Sequence, residues 1–371
     1  MRGFLLVHPL VAVLLAACSP SPERRLETER RPSPEPTATF SIVALDPENG
    51  DLGVAVQSKF FGVGAVVPWV EAGTGAIATQ AYANTSFGPR GLELLRKGQS
   101  PEEVLEKLLE ADPEKDLRQL GIVDGKGRSH NFTGKRCFEW AGAHAEENFS
   151  VQGNLLVSQA TVEAMAQAFR KSRGELSERL LAALEAGQQA GGDARGRQSA
   201  ALSVARKNGG YGGYNNRYVD LRVDDHLSPI AELRRLLDLK SGKDAVSQAR
   251  RLVRQGHMTE AVETLRGALA RDPGRDPVHF ELARILLAAG KEAEGRAELS
   301  AAVARAPVYD HYHYRAAEIL AESGNAEECL EEIKKTLAIN AAYAEVFRRA
   351  IKSPASAFRP LREKIESLLR S

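Results

Sequence analysis

The sequence predicts an α+β domain followed by an all-α region, and two patterns support this expectation. Within residues 39–238, short β-prone segments enclose segments whose apolar residues recur at helical spacing. Strands, then helices, then strands again are typical of layered α+β folds, although the pattern alone leaves two layers and four layers open. After residue 244, small and apolar residues recur at a fixed long period, which indicates stacked helix pairs.

Length and composition exclude several classes of protein. The 371 residues carry a formal net charge of +1, so nothing indicates the basic surface that binds nucleic acid. Beyond the N-terminus, no apolar run approaches the ~20 residues that span a bilayer. The three cysteines, Cys18, Cys137 and Cys329, form no Cys/His pairs with zinc-ligand spacing. We therefore expect no metal and no cofactor. We also expect no disulfide between Cys137 and Cys329, because they lie in different predicted domains.

The N-terminus predicts an export signal. Arg2 precedes a mostly apolar stretch that ends in Leu15-Ala16-Ala17-Cys18. This ending resembles the bacterial lipobox, in which the cysteine thiol is lipidated. Residues 1–18 are therefore predicted to be a lipoprotein signal, with an ordinary secretory signal as the alternative. Ser19 follows the cysteine, which favours a lipid-anchored protein of the cell envelope, on the periplasmic face of the outer membrane where the organism has one.

Residues 19–38 read as a tether. They contain five prolines among arginine, glutamate, serine and threonine. Such a segment has almost nothing apolar to bury, so we expect it to stay extended and disordered.

The elements of the first domain follow in order along residues 39–238. The predicted strands are 39–44, 52–56, 62–67, 75–78, 119–123, 133–140, 200–205 and 218–223. The predicted helices are 89–96, 101–109, 158–169, 176–187 and 229–239. A turn at 46–51 joins the first two strands into a hairpin. Ser100 is a predicted N-cap, with Pro101 at the first helical position and Glu103 at the capping-box position.

The second domain, residues 244–371, is predicted from its repeats, after a linker at 240–243. Three sets of residues recur every 34 positions: Gly256, Gly290 and Gly324; Ala249, Ala283 and Ala317; Leu252, Leu286 and Leu320. This period is the signature of tetratricopeptide (TPR) repeats, here at about 244–275, 278–309 and 312–343, followed by a capping helix or two. Such stacks bind proteins or peptides in a concave groove, although this one could instead only pack against the first domain or dimerise it. Candidate groove residues are His279, Glu281, Tyr309, His311, Tyr314 and Arg315.

A glycine-rich loop at residues 190–199 is the strongest candidate for ligand binding. Backbone N–H groups in glycine-permitted conformations can form an anion-binding nest, and arginine adds bidentate recognition of carboxylate or phosphate. The candidate substrate clamp consists of Asp193, Arg195, Arg197, Gln198 and Ser199. The alternative is a structural turn with surface salt bridges.

Six ordered blocks of residues 39–238 resemble one known family. The blocks are 39–44, 53–56, 78–81, 151–154, 191–199 and 220–226. Together they resemble the domain of unknown function 1028 (DUF1028) family, which is regarded as having the Ntn-hydrolase (N-terminal nucleophile) fold. The resemblance implies a four-layer αββα sandwich.

The resemblance also implies candidate catalytic residues. In Ntn hydrolases an N-terminal Thr, Ser or Cys attacks, with its own α-amine as base. Thr39 matches that position, but it follows 38 residues and can act only if the Ala38–Thr39 bond is cleaved. A lipoprotein cut there would lose its anchor.

Further candidates come from residue type and position. Ser58 and Lys59 end the second predicted strand, where a lysine could lower a hydroxyl pKa or hold an oxyanion. Thr79 and Gln80 could supply oxyanion donors. The other candidate substrate-binding residues are Asn154, Asp224 and His226. Surface charges, Asx turns and capping are the structural alternatives.

The expected function is therefore an exported, lipid-anchored Ntn-type hydrolase that acts on small carboxylate-bearing amides or peptides. The TPR repeats would recruit a protein partner, and a homo-oligomer is left open. The alternative is a catalytically silent lipoprotein scaffold or ligand-binding module that uses the same repeats.

Overall fold

The computed structural model of the protein describes residues 39–370. The predictions for residues 1–18, for the tether at 19–38 and for lipidation at Cys18 lie outside the described residues. No helix in the described range combines the length and the apolar character needed to cross a membrane.

The described residues form two antiparallel sheets. The strands are β1 (Thr39–Leu45), β2 (Leu52–Ser58), β3 (Pro68–Glu71), β4 (Gly75–Ala81), β5 (Arg118–Asp124), β6 (Ser129–Thr133), β7 (Gly142–Glu146), β8 (Phe149–Gly153), β9 (Ser199–Ala205) and β10 (Arg217–Val223). One sheet has six strands in the order β10-β9-β2-β1-β8-β7, and the other has four in the order β3-β4-β5-β6. Strand β1 therefore lies inside the larger sheet, between β2 and β8.

Four helices cover the outer faces of the two sheets. They are α1 (Phe87–Arg96), α2 (Pro101–Glu110), α3 (Ala160–Lys171) and α4 (Leu176–Gln189). Helices α1 and α2 pack on the four-stranded sheet, and α3 and α4 pack on the six-stranded sheet, while the sheets face each other through β1, β4, β5 and β8. This order of layers is αββα, so the predicted fold class is confirmed.

Strand β1 shows how the sequence builds two of these layers. Side chains alternate between the two faces of a strand. Phe40, Ile42 and Ala44 pack into the core under α3 and α4, whereas Val43 and Leu45 pack into the core between the sheets. By the same alternation Thr39 and Ser41 face the opposite sheet, which places two buried hydroxyl groups between the layers.

One predicted helix start is confirmed in detail. Ser100 Oγ accepts a hydrogen bond from the Glu103 N–H at 3.2 Å, and the Ser100 N–H donates to Glu103 Oε2 at 2.7 Å. This reciprocal pair is the predicted capping box, and Pro101 begins α2.

Two predicted strands are wrong. The 62–67 segment forms a short 3-10 helix at Val63–Ala65, because Gly62 has a φ of 64° and Val63 and Val67 turn into the core between the sheets. The 133–140 segment leaves the sheet after Thr133, because Gly134 crosses the backbone of Asp116, where an added Cβ would lie 2.4 Å from a carbonyl oxygen. Strands β3, β6, β7 and β8 were not predicted.

The predicted linker at 240–243 is also wrong, because one helix, α5 (Pro229–Arg254), runs through it. Gly242 does not break the helix; it is buried, and its missing side chain makes room for Arg275, whose Nη1 would lie 2.6 Å from an added Cβ. Lys240 and Asp244 pair along the same helix at 2.6 Å. The two domains are therefore joined by a shared helix.

Helix pairs fill the rest of the chain. The helices are α6 (Met258–Arg271), α7 (Asp276–Ala288), α8 (Glu292–Ala304), α9 (Asp310–Glu322), α10 (Ala326–Ile339), α11 (Tyr343–Ala350) and α12 (Arg362–Leu368). Three helix pairs are α5 with α6, α7 with α8, and α9 with α10. The turns within these pairs contain Gly256, Gly290 and Gly324, with φ values of 85°, 74° and 81°, a conformation that favours glycine. After them, Phe347 of α11 and Ile365 of α12 close the core that α7, α8, α9 and α10 form.

A histidine with the same hydrogen-bond partners repeats in this region with the 34-residue period, and one copy, His313, is buried. His313 Nδ1 lies 2.6 Å from Glu332 Oε2, and its Nε2 lies 2.9 Å from the Pro307 carbonyl oxygen. His279 makes the equivalent contacts to Glu298 and Pro273. Each ring therefore joins the two helices of one repeat to the turn before it, so His279 is a packing residue and not a free groove residue.

Candidate functional site

Four polar residues form a row across one end of the six-stranded sheet. Thr39 lies opposite Ser58, and Ser58 lies opposite Ser199. On the other side of Thr39, its N–H donates to the Asn154 carbonyl at 3.3 Å, and the Asn154 N–H donates to the Thr39 carbonyl at 3.0 Å. All four side chains are fully buried, and Thr39 Oγ1 lies 3.2 Å from Ser58 Oγ.

A cluster of carboxamide side chains, Gln80, Gln119, Gln152 and Asn154, joins this row to the opposite sheet. Gln80 Nε2 donates to the Thr39 carbonyl at 3.3 Å and to Gln119 Oε1 at 2.8 Å. Asn154 Nδ2 donates to the same Gln119 oxygen at 2.9 Å. Buried polar groups persist when they are hydrogen-bonded, and this carboxamide cluster holds Thr39 from both sheets.

Ser41 connects the remaining member of the carboxamide cluster. Its Oγ donates to Gln80 Oε1 at 2.6 Å and accepts from Gln152 Nε2 at 2.7 Å. Gln152 also needs Gly121 opposite it, because a Cβ at Gly121 would lie 2.0 Å from Gln152 Oε1. The network therefore depends on residues from β1, β4, β5 and β8.

Two features of the carboxamide cluster depart from ordinary packing. The side-chain oxygen of Asn154 is buried without a hydrogen-bond partner. Ala81 and Leu155, which follow Gln80 and Asn154, have φ values of 66° and 51°, a left-handed conformation that costs residues other than glycine. Strained backbone and unpaired polar groups concentrate at functional sites.

The glycine-rich loop lies at the same end of the domain as Thr39. The Gln198 N–H donates to the Ser58 carbonyl at 3.1 Å, and the Lys59 N–H donates to Asp193 Oδ2 at 2.9 Å. Gly191 and Gly192 have φ values of 124° and 70°, so this turn requires glycine.

Two members of the predicted substrate clamp bind each other. The Asp193 side chain is fully buried and pairs with Arg195 Nη2 at 2.9 Å, while the Arg195 side chain keeps 30% of its surface exposed. The Arg195 N–H also donates to Asp193 Oδ1, at 2.9 Å. Arg197 is exposed. Of the two guanidinium groups, that of Arg197 is the more open to a ligand.

The other predicted binding residues fasten neighbouring loops. Ser199 Oγ accepts from the Val63 N–H at 3.1 Å and donates to the Phe60 carbonyl. The His226 N–H donates to the Gln198 carbonyl at 2.8 Å, and the Asp224 carbonyl accepts from the Gly62 N–H at 3.0 Å. The side chains of Asp224 and His226 are exposed, so these two residues contribute backbone contacts at the rim.

The predicted catalytic residues divide into two groups. Thr39, Ser58 and Gln80 come together as described. Thr79 lies on the other face of β4, where its hydroxyl donates to the Asn84 carbonyl at 3.3 Å, and it does not reach Thr39. Lys59 contributes its backbone N–H, while its side chain is exposed.

A buried ion pair, which sequence reasoning missed, anchors the loops beside this site. Arg118 Nε lies 2.8 Å from Asp112 Oδ2, and Arg118 Nη1 donates to the Tyr82 carbonyl at 2.6 Å. Burial opposes ionisation of Asp112, but hydrogen bonds from Arg118 and the Glu114 N–H outweigh it and hold the Asp112 pKa below its usual value.

Cys137, on the loop after β6, is a poor alternative nucleophile. Burial raises the pKa of its thiol to about 11, so the reactive thiolate is scarce near neutral pH. Within residues 39–370, no group of three or more His, Cys, Asp and Glu side chains is arranged to hold a metal ion.

Comparison with known families agrees with this architecture. A family model described as a family of unknown function (DUF1028) matches residues 39–233, which is more than half of the sequence. The chain belongs to the DUF1028 family. A tetratricopeptide repeat model matches residues 252–314. Both predicted family assignments are therefore confirmed, and the TPR repeats form a protein-interaction module.

Solved structures resemble each part of the chain separately. Protein SPO2555 from Silicibacter pomeroyi, a DUF1028 structure, is 33% identical with a TM-score of 0.50, over 54% of this chain and 85% of that one. An O-GlcNAc transferase mutant from Thermobaculum terrenum is 20% identical with a TM-score of 0.25, over 32% and 24% of the two chains. The first TPR of Spaghetti (RPAP3), bound to an HSP90 peptide, is 18% identical with a TM-score of 0.26, over 36% and 95%. No curated protein matches the chain.

Proposed function

We propose that the DUF1028 domain is an amide hydrolase of the N-terminal nucleophile class, with Thr39 as its nucleophile. Its substrates are small amides or peptides that carry a carboxylate. The TPR repeats recruit a protein partner to this activity.

The observation that carries the proposal is the setting of Thr39. It is the first residue of a central strand, and its hydroxyl lies 3.2 Å from that of Ser58. A threonine hydroxyl is a weak nucleophile that needs an adjacent base. A freed α-amine would supply that base without another side chain, since its ordinary pKa lies near neutrality. Cleavage of the Ala38–Thr39 bond is therefore part of the proposal.

The test compares two chains that differ by one residue, one beginning at Thr39 and one at Ala38. The first presents the α-amine beside the hydroxyl, and the second displaces it. We expect the first chain to release amines from a panel of N-acyl amino acids and dipeptides. Thr39→Ser should retain activity and Thr39→Ala should abolish it. Equal activity of the Thr39 and Ala38 chains would overturn the proposal.

Arg197 is the proposed contact for the substrate carboxylate. Because Arg197 is exposed and makes no side-chain hydrogen bond or ion pair within residues 39–370, Arg197→Ala should leave stability within about 0.5 kcal/mol of the parent. Loss of a charge that pairs with a bound carboxylate should weaken binding by ~2–5 kcal/mol. Arg195→Ala is a poorer test, because it also leaves Asp193 without its partner. Calorimetric titration with acidic amides would measure the effect.

A catalytically silent scaffold is the second candidate function. The full burial of Thr39 and the 38 residues before it favour this reading. In that case the domain only supports the TPR repeats, and both chains of the previous test are inactive.

We further propose that the uncut protein is anchored in the cell envelope through lipidated Cys18, and that cleavage of the Ala38–Thr39 bond releases the catalytic chain from this anchor. The apolar stretch that ends in Leu15-Ala16-Ala17-Cys18 supports this. Cys18→Ala should yield soluble or unprocessed protein in membrane fractionation. Unchanged attachment to the membrane would contradict the anchor.

A further inference from the structure

We infer that the side-chain oxygen of Asn154 holds the freed α-amine of Thr39 and so makes Asn154 a residue of the catalytic site. The inference rests on the proposed function. It assigns to Asn154 a role at the reacting amine in place of the substrate contact expected from the sequence.

The register of the sheet places Asn154 beside the amine. Thr39 and Asn154 exchange both backbone hydrogen bonds, so they are directly opposite each other. The side chains of such a pair project from the same face of the sheet, with Cβ atoms roughly 5 Å apart. Ser58 occupies the equivalent position on the other side of Thr39.

Counting donors and acceptors shows why an extra acceptor is needed. In the uncut chain, Thr39 has one N–H, and it donates to the Asn154 carbonyl. Cleavage turns this amide into an amine, which adds one N–H when neutral and two when protonated. Buried N–H groups require acceptors. Among the buried side-chain atoms of residues 39–370, Asn154 Oδ1 is the acceptor on this face of the six-stranded sheet that has no hydrogen-bond partner.

The opposite end of the Asn154 side chain is already fixed. Its Nδ2 donates to Gln119 Oε1 at 2.9 Å, and Gln119 Nε2 donates in turn to the Gly153 carbonyl at 2.8 Å. These bonds determine which end of the carboxamide is the donor. They leave the oxygen, and not the nitrogen, to accept from the amine.

The charges near the amine are few. Asp193 faces this end of the sheet through the Lys59 N–H and is neutralised by Arg195, and the Lys59 side chain is exposed. The groups packed around Thr39 from both sheets, Ser58, Gln80, Gln119 and Ser41, are neutral. A hydrogen bond that the amine donates to Asn154 Oδ1 therefore acts on the amine without a strong competing charge.

The experiment measures the pKa of the Thr39 α-amine directly, in a chain that begins at Thr39. This chain contains both sheets and every core described above. The ¹³Cα NMR signal of the N-terminal threonine, followed against pH, reports the titration without any need for activity. Asn154→Ala should lower the pKa by about one unit, because a carboxamide oxygen stabilises the ammonium form. Asn154→Asp, which keeps the shape and adds a negative charge, should raise it by at least about one unit.

Gln57→Met provides the matched control. Gln57 is also buried with an unpartnered carboxamide, but it precedes Ser58 on β2 and so faces the other side of the sheet. The Gln57→Met substitution should therefore leave the pKa of the Thr39 α-amine unchanged. If Asn154→Ala does not fold, Asn154→Asp still tests the inference.

The role of Asn154 and the proposed hydrolase activity can be rejected independently of each other. An unchanged pKa in Asn154→Asp would overturn the role of Asn154, even in a chain that hydrolyses amides. A shifted pKa in a chain without hydrolase activity would support the amine contact and reject the proposed hydrolase.

Discussion

The two halves of the described chain differ most clearly in backbone strain, since both contain buried polar atoms without a hydrogen-bond partner. In the TPR repeats, His279 and His313 make matching contacts to a carboxylate and a carbonyl. Between residues 229 and 370, every positive φ falls on a glycine. In the sandwich, Ala81 and Leu155 carry positive φ, and Asn154 keeps an unpaired oxygen.

This difference separates a region built for packing from one built around a site. Where sequence and structure agree at every level, stability is the simplest explanation of each residue. Functional sites often break the local rules of backbone conformation and hydrogen bonding. Interactions elsewhere in the fold offset the free-energy cost. In the sandwich, Ala81, Leu155 and Asn154 lie beside the N-terminus of β1, where the candidate site is.

The largest expected loss of stability follows from breaking the buried ion pair between Arg118 and Asp112 beside the site. Arg118→Leu would leave Asp112 charged and buried, which should cost about 3–5 kcal/mol. Both tryptophans of the sequence, Trp69 and Trp140, lie in the sandwich. Urea unfolding followed by tryptophan fluorescence therefore reports on this domain. The exposed pair of Lys97 and Glu93, 2.6 Å apart, is the control, and Lys97→Met should cost under about 0.5 kcal/mol.

The same pair gives a pH dependence of defined sign. Since the folded-state pKa of Asp112 is held below its ordinary value, its contribution is present above the unfolded pKa, about 4, and is lost as the pH falls below it. The stability gap between the parent and Arg118→Leu should therefore narrow between pH 7 and pH 3. A constant gap would show that Asp112 does not carry the effect.

An intermediate effect is expected in the repeats. Both ring nitrogens of His313 face oxygen acceptors, and His313→Leu removes both bonds and leaves Glu332 with Lys335 alone. We expect a loss of about 2 kcal/mol, seen as earlier loss of the far-UV helix signal. His311→Leu, at an exposed position on the same helix, should change stability by less than about 0.5 kcal/mol. Equal effects of the two variants would mean that the repeated contact is not stabilising.

The smallest expected effects come from substitutions at two positions with positive φ, and they change the stability of the two regions in opposite directions. Ala81→Gly should stabilise the sandwich by about 1 kcal/mol, because glycine relieves the positive φ. Gly290→Ala should destabilise the repeats by about the same amount. A Cβ at Gly290 meets nothing within 4 Å, so the conformation of the backbone alone causes this cost. Thermal unfolding by circular dichroism and fluorescence would separate the two signals.

Local signals in the sequence predicted local structure well. The capping box at Ser100, the hairpin turn at 46–51 and the 34-residue period all depend on residues close together or regularly spaced. The edge strands β3 and β7 were missed because they are short and half-buried and lack a clear alternation of apolar residues. The linker was wrong because Gly242 serves a contact with Arg275, which lies 33 residues away.

The site could be predicted only in part. Thr39, Ser58, Gln80 and Asn154 were identified, whereas Ser41, Gln119 and Gln152 were not. Their hydrogen bonds join residues up to 111 positions apart, which no spacing in a single sequence reveals. The signal available was a glutamine in each of three strands that are buried along their whole length. Thr79 shows the opposite error, because it was predicted as a site residue but does not reach the site. It is the neighbour of Gln80 on β4, and adjacent residues of a strand face opposite sides of the sheet.

The most direct test of the central claim is the N-terminus of the protein isolated from its own cell envelope. Intact-mass analysis can distinguish a chain that begins at Thr39 from one that begins at lipidated Cys18. If Thr39 is the nucleophile, the mass must correspond to residues 39–371 in the fraction that hydrolyses amides. A fully active fraction that retains the Ala38–Thr39 bond would contradict it.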